Sequence, residues 1–407
     1  MIKAWPIALA CTTVLSAHAV DYLRDIKPVL KARCYACHGG LKQKSGLRLD
    51  TATNIRKGAK GGAVLEPGKP AESEIIARIT ATDLDERMPP EGEPLKPAEI
   101  AAIREWIAAG APIPEGEEAQ ADPREHWSFQ PITRPALPTL NPKPASLNPI
   151  DKFLEAKRRE HNLKPNPPAP DATQLRRVYL DLIGLPPTRE QLKAFQKSAL
   201  SNPDSAFEKV VDELLASPRH GERWGRHWMD IWRYSDWYGR RPSNEIRYSQ
   251  RHIWRWRDWI IESVNADKGY DRMLTEMLAA DEVAPADLDA LRATGYLGRN
   301  WYKFDRNTWL FETVERIGEG LLGLTFRCAR CHDHKFDPVT QKEYYQFRAF
   351  FEPHGFRTDA LAAGIGTETD NGKSQVLKEG LSRAFDAEPT RATYLFRRGD
   401  DRQPQKD

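Results

Sequence analysis

No stretch of this 407-residue chain reaches the roughly 18 uninterrupted apolar residues that a membrane-crossing helix needs, so the sequence offers no integral span. Charge of one sign is lacking too. Against 61 Lys and Arg stand 58 Asp and Glu, and a net +3 gives no push towards nucleic acid. There is no glycine-rich phosphate loop, and the long middle of the chain has no convincing apolar–polar alternation. These absences argue against nucleotide-binding folds and large sheets. What is present is 40% hydrophobic residues with 12 Trp, enough for folded cores, and 31 Pro, which imply linkers or irregular segments. Sulfur is sparse, at five Cys and five Met, and its placement is the most informative feature of the chain.

Four of the five cysteines occupy two copies of one pentapeptide, Cys34-Tyr35-Ala36-Cys37-His38 and Cys328-Ala329-Arg330-Cys331-His332. Cys-x-x-Cys-His is the attachment signature of c-type haem. Two thiols three residues apart each form a thioether with a vinyl group, and the adjacent His supplies a nitrogen to iron. The fifth, Cys11, lies in an expected signal peptide over 1–19. Lys3 opens it, residues 7–15 are mostly apolar, and Ala17-His18-Ala19 is a small-x-small cleavage site. Export follows, to the periplasm or the cell surface. A lipoprotein reading at Leu9-Ala10-Cys11 has too short an apolar stretch before it.

The chain is expected to be mainly α. Residues 20–112 form a small helical unit in which Tyr22, Ile26, Val29 and Leu30 are spaced for one helix face before the first motif. Ile100, Ile103, Trp106 and Ile107 do the same before Gly110, and residues 75–79 suggest a short helix between. Met88, in the Pro-stiffened loop Arg87-Met88-Pro89-Pro90, is a candidate second axial ligand; as a bland alternative it fills a core gap. Residues 113–148 are expected to be an acidic, then Pro-rich linker, extended and semi-rigid, interrupted by His126-Trp127-Ser128-Phe129 as a docking point. Residues 149–356 form a larger helical domain, with helical stretches at 150–161, 173–183, 207–216, 222–234, 252–264 and 309–322. From 357 to 407 the chain is polar, and disorder or loose structure is expected, with 392–397 as a strand without partners.

A second haem at Cys328, Cys331 and His332 needs an apolar pocket and, if six-coordinate, a distal ligand. The candidates lie in the segment 220–259, which holds seven of the twelve Trp. His220, Trp224 and His227 fall at i, i+4, i+7, and His227 is the preferred iron ligand ahead of His220 and His252. Arg223, Arg226 or Arg233 would pair with propionates. The plainer reading packs these aromatics in a core. Alternatives for the motif are a zinc site from Cys328, Cys331, His332 and His334, or a disulfide. A further alternative has His334 and Asp337 orienting His332.

The N-terminal unit resembles the planctomycete cytochrome c-like domain through Arg24-Asp25-Ile26-Lys27-Pro28-Val29-Leu30, the first motif with Gly39, and Gly46-Leu47-Arg48-Leu49-Asp50. Pro67-Gly68-Lys69-Pro70, Arg87-Met88-Pro89-Pro90 and the close Trp106-Ile107-Ala108-Ala109-Gly110-Ala111-Pro112 add to it. The second domain is similar to its usual companion, a cytochrome c-like domain of unknown function. The shared residues are Leu180-Asp181-Leu182-Ile183-Gly184-Leu185-Pro186-Pro187, Leu215-Ala216-Ser217-Pro218, Gly221-Glu222-Arg223-Trp224, His227-Trp228-Met229-Asp230, Gly323-Leu324-Thr325 and the run 328–338. Such proteins usually continue into a further C-terminal domain, so the chain is expected to be a truncated or split form.

The leading expectation is an exported protein with haem c, one or two groups, that passes electrons between redox partner proteins. The alternative is a periplasmic oxidoreductase acting on a polysaccharide or other small substrate, with a cleft lined by Trp237, Arg240 and His252 and the first domain as electron acceptor. A third reading makes the pentapeptides disulfide or zinc staples. Nothing in the sequence sets an oligomeric state.

Overall fold

The computed structural model describes residues 20–90, 92–140, 148–236, 252–299, 301, 305–370 and 374–406. The expected signal peptide with Cys11, and the cleft residues Trp237 and Arg240, lie outside the described residues. The chain divides into two units, Met1–Ile132 with Lys335–Pro338, and Thr133–His334 with Val339–Asp407. Helices dominate, as the sequence predicts, and the strands form two-stranded antiparallel pairs. Among the described residues no helix is long and apolar enough to cross a membrane.

The first unit opens with a π-type turn, Tyr22–Ile26, started by Asp21, whose carboxylate accepts the Arg24 amide at 2.7 Å. It runs into α1 (Lys27–Arg33) and α2 (Tyr35–His38); α3 (Ala52–Lys57), α4 (Glu74–Thr80) and α5 (Pro97–Ala108) follow. Tyr22, Ile26 and Leu30 meet Ile103, Trp106 and Ile107 in one buried cluster, with Val29 and Ile100 at its edge. The Tyr22 and Trp106 rings lie 5.0 Å apart. Each fully buried Ile or Leu there contributes on the order of 1.5–3 kcal/mol.

The stretch expected to be free linker from 113 is instead tied down at its start. Glu117 accepts the Ala52 amide at 2.8 Å and Lys27 Nζ at 2.6 Å, with its side chain buried. Gln120 donates its amide to Asp50 Oδ2 at 2.7 Å, and its carbonyl accepts from Arg48 at 2.8 Å. The acidic composition suggests a solvated run, whereas these charges find partners on the unit they leave. Trp127 further on is exposed.

The second unit has α6 (Pro149–Glu160), α7 (Asp171–Leu182), α8 (Arg189–Ala199), α9 (Pro203–Leu215), α10 (Pro218–Trp232), α11 (Trp254–Asn265) and α12 (Tyr270–Val283). Short α13 (Leu288–Leu291) and α14 (Gly295–Gly298) lead to α15 (Arg306–Ile317) and α16 (Gln341–Ala349). Its main core gathers Trp232, Trp256, Trp259, Met277, Trp309, Leu310, Tyr344 and Phe396.

The expected disorder after 359 is corrected by strands. β1 (His354–Ala360) pairs with β4 (Gly380–Asp386), His354 opposite Asp386, and β2 (Thr367–Asp370) pairs with β3 (Ser374–Leu377). β5 (Leu395–Phe396) is not without a partner: it pairs with β6 (Pro404–Gln405). Phe356, Leu381, Ala384 and Phe396 are buried, which anchors this polar segment by a few apolar residues.

Candidate functional site

The first pentapeptide is one helical turn. The amides of Cys37 and His38 both reach back to Cys34 O, at 3.1 and 2.9 Å. Positions i, i+3 and i+4 share a helix face, so the turn presents both thiols and the imidazole to one side. That side opens on a cavity of about 310 Å³, near the lower end of the usual range for ligand sites. Its walls are mainly apolar and include Leu30, Leu47, Leu49, Ile75, Ile79 and Ile103. Met88 lines the same cavity from the far side of the sequence. The end of α4 places it: Met88 donates its amide to Arg78 O at 2.9 Å, while Arg87 closes the loop by donating to Gly92 O at 3.0 Å. The two Arg side chains on the cavity wall are Arg33 and Arg78.

Burial sets the chemistry of these groups. It pushes the Cys34 thiol up to about 12, with the neighbouring Cys37 adding to the effect. It also pulls the His38 imidazole below its ordinary value, against the nearby backbone of Leu47 and Lys44. Burial thus disfavours the charged form of His38 and favours the form with a lone pair for a metal, and its Nδ1 is buried without a hydrogen bond. Two free thiols, a neutral imidazole and a thioether around a mainly apolar cavity are the donor set that a covalently held haem requires. The residues present fit that group.

The strap over 113–121 supports the motif from behind. The Gly40 amide donates to Gln120 Oε1 at 3.1 Å. A Cβ on Gly40 would stand 2.7 Å from Gln120 O and 2.8 Å from Ala121 O, so the strap approaches because that residue has no side chain. Asp50 joins the two parts. Its carbonyl accepts the Tyr35 hydroxyl at 3.1 Å and its carboxylate takes Arg48 at 2.5 Å. Burial disfavours the Asp50 charge, yet Arg48, the Gln120 amide and Asn54 together hold its carboxyl below the usual range. Sequence reasoning missed this strap. The adjacent glycines after His38 were the signal that something packs against that backbone.

The second pentapeptide has a similar turn in different surroundings. Cys331 and His332 donate their amides to Cys328 O at 3.3 and 3.4 Å. Here the intervening residues face inward: Ala329 is buried, and Arg330 lies over the Phe311 ring at 4.8 Å and bonds Glu315 at 3.3 Å. Cys328 and His332 are exposed, and Cys331 Sγ sits against Gly399, where a Cβ would be 2.6 Å away. A small cleft of about 150 Å³ lies beside the turn between Arg316, Arg327 and Arg330, but it is polar, and neither cysteine nor His332 lines it.

The distal candidates occupy other environments. His227 is exposed, its ring 5.3 Å from Trp224, and His220 Nδ1 lies 3.1 Å from Leu182 O. His252 is buried, with Nε2 3.1 Å from Leu377 O. Trp232, Trp256 and Trp259 are core residues. Arg226 pairs with Asp230 at 3.0 Å, the Arg223 side chain packs at Gly184, and Arg233 ends α10 in a left-handed conformation. His334 turns its Nε2 to Thr325 Oγ1 at 3.4 Å. The zinc alternative is not assembled: Cys328, Cys331, His332 and His334 do not gather their ligand atoms, and the four described cysteines are unpaired.

A family model described as a protein of unknown function, DUF1549, matches residues 149–355, and one described as planctomycete cytochrome C matches residues 34–92. No curated protein and no solved structure matches the chain.

Proposed function

The chain belongs to the DUF1549 family and carries a planctomycete cytochrome C domain ahead of it, and on that footing we propose that it is an exported electron carrier with haem c on Cys34, Cys37 and His38. The observation that carries this reading is the convergence of Cys34, Cys37, His38 and Met88 on one mainly apolar cavity. Cys34 and Cys37 would hold the group covalently, and His38 and Met88 would offer donors to its iron. When bound, the group supplies a one-electron couple at iron, and Met/His ligation sets a raised potential.

The chain's own residues do the rest. The walls from α1, α4 and α5 exclude water and keep the local dielectric low. Burial disfavours protonation of His38, which favours its lone pair as a donor. Arg33 and Arg78 provide positive charge on the wall, suited to carboxylates of the bound group. Donor and acceptor are redox partner proteins outside the cytoplasm. Because Cys328 and His332 are exposed, we place the electron-carrying group on the first motif.

The test is expression of the full chain, with export, in a host that attaches haem. Covalent haem should remain with the chain on a denaturing gel and disappear in a Cys34→Ser/Cys37→Ser double variant. A wild-type chain without covalent haem overturns the proposal.

A further inference from the structure

A second constellation lies in the other unit, away from both pentapeptides in the sequence. Asp281, His354 and Asp386 each offer one ligand atom, and the three atoms lie within 4.8 Å of one another. Three separate elements supply them. Ala279 breaks the helical geometry of α12 one turn before its end, and Asp281 sits on that last turn. His354 opens β1 and Asp386 closes β4, as direct cross-strand partners at the open end of the pair.

Two of the three side chains are buried without a hydrogen bond to a described residue. Asp281 and His354 are each 5% exposed in the side chain, and their closest approach, Nε2 to Oδ2, is 3.7 Å, too long for a hydrogen bond. Both carboxylate oxygens of Asp281 and both ring nitrogens of His354 are buried with no hydrogen-bond partner among the described residues. Buried polar atoms left without a partner are costly, so this cluster calls for one. Burial pushes the Asp281 carboxyl above its ordinary range, with His354 opposing and Asp386 adding to the rise. Arg383, itself bonded to Asp359 at 2.6 Å, gives only partial relief.

We infer that Asp281, His354 and Asp386 bind one divalent first-row transition ion of the Zn²⁺ or Mn²⁺ kind. An imidazole with two carboxylates suits those ions, whereas Ca²⁺ and Mg²⁺ take oxygen ligands, Ca²⁺ in larger number. Two ligands about 2.1 Å from one ion stand roughly 3–3.5 Å apart, so the 3.7 Å separation of His354 and Asp281 needs only a slight contraction. The ion would satisfy the orphaned atoms, cancel the two carboxylate charges and tie the end of α12 to the β1–β4 pair. Three protein ligands leave a position open beside the exposed Asp386, where water or a substrate oxygen can bind.

The experiment uses the full haem-loaded chain, stripped with chelator and dialysed against Mn²⁺ or Zn²⁺, with metal content measured per chain. Mn²⁺ is the cleaner probe because thiolates favour Zn²⁺ over it. The expected result is one Mn²⁺ or Zn²⁺ per chain, unchanged in a Cys328→Ser/Cys331→Ser variant and bound at least tenfold more weakly in Asp386→Asn. Asp386 is exposed at a strand end, so that variant keeps its fold, to be checked by circular dichroism; His354→Gln serves as the buried counterpart. The inference is overturned if the wild-type chain retains neither ion, if Asp386→Asn binds as tightly as wild type, or if binding vanishes with the cysteines.

Discussion

At residues 34–38 the backbone turn closes on Cys34 O with bonds of 3.1 and 2.9 Å; at 328–332 it closes on Cys328 O with bonds of 3.3 and 3.4 Å. The same five-residue pattern thus makes nearly the same local shape twice. In the first copy the thiols and the imidazole face a mainly apolar cavity. In the second, Ala329 and Arg330 face the core while Cys328 and His332 face solvent. The pentapeptide encodes the turn and the spacing of its donors. Whether a pocket receives them depends on residues far along the chain: Ile75, Ile79, Met88 and Ile103 in one case, Phe311, Glu315 and Gly399 in the other.

The most severe test of that difference removes the thiols one pair at a time. Cys34→Ser/Cys37→Ser should abolish covalent haem, whereas Cys328→Ser/Cys331→Ser should leave the haem-to-chain ratio unchanged, read by haem quantitation. Equal losses from both variants would erase the distinction. The next effect is chemical. In the haem-free chain at pH 7.5, Cys34, with its thiol pushed up to about 12, carries roughly three-thousandfold less thiolate than an ordinary thiol of about 8.5. Time-resolved alkylation with peptide mapping should label the exposed Cys328 long before Cys34.

Met88→Ala should keep the haem attached but lower its reduction potential, because the axial thioether is lost while both thioether links remain. A potential equal to wild type would make Met88 a wall residue only. Gly40→Ala should push the strap off the motif, lower the stability of the first unit by about 1–3 kcal/mol and expose 117–121 to faster hydrogen exchange. The smallest effect concerns acid. Although burial opposes it, Asp50 is held below its ordinary range by Arg48, the Gln120 amide and Asn54. The unfolded chain then binds the proton more readily, so this stabilisation is complete above about pH 4 and is lost as pH falls through the folded value. Haem absorbance during acid titration would follow the first unit, and Asp50→Asn should flatten that limb.

Much of the first unit was legible because its determinants are local or periodic. The helical spacing of Tyr22, Ile26 and Leu30, and of Ile103, Trp106 and Ile107, foretold a helix pair that does pack together. The Pro-flanked Met88 stood out because methionine is scarce. What the sequence concealed was pairing between distant residues. Glu117 reads as one acid among three until Lys27 and the Ala52 amide are seen beside it. β1 and β4 each carry one Arg and one Asp among seven residues, and Leu381 and Ala384 are buried on opposite faces of β4, so no clean alternation marks the pair. The second motif advertised its chemistry by spacing, but spacing says nothing about which way a turn is rolled.

The tie between residues 117–120 and the first unit also changes a length. An extended, Pro-rich tether gains about 3.1 Å of contour per residue. Counted from the end of α5, the sequence promises a spacer beginning at 113. Pinning 113–121 removes nine residues, or roughly 28 Å, from that spacer. A chain cut after Pro112 would therefore lose contacts made by Lys27, Arg48 and Asp50 within the first unit, and not spacer alone.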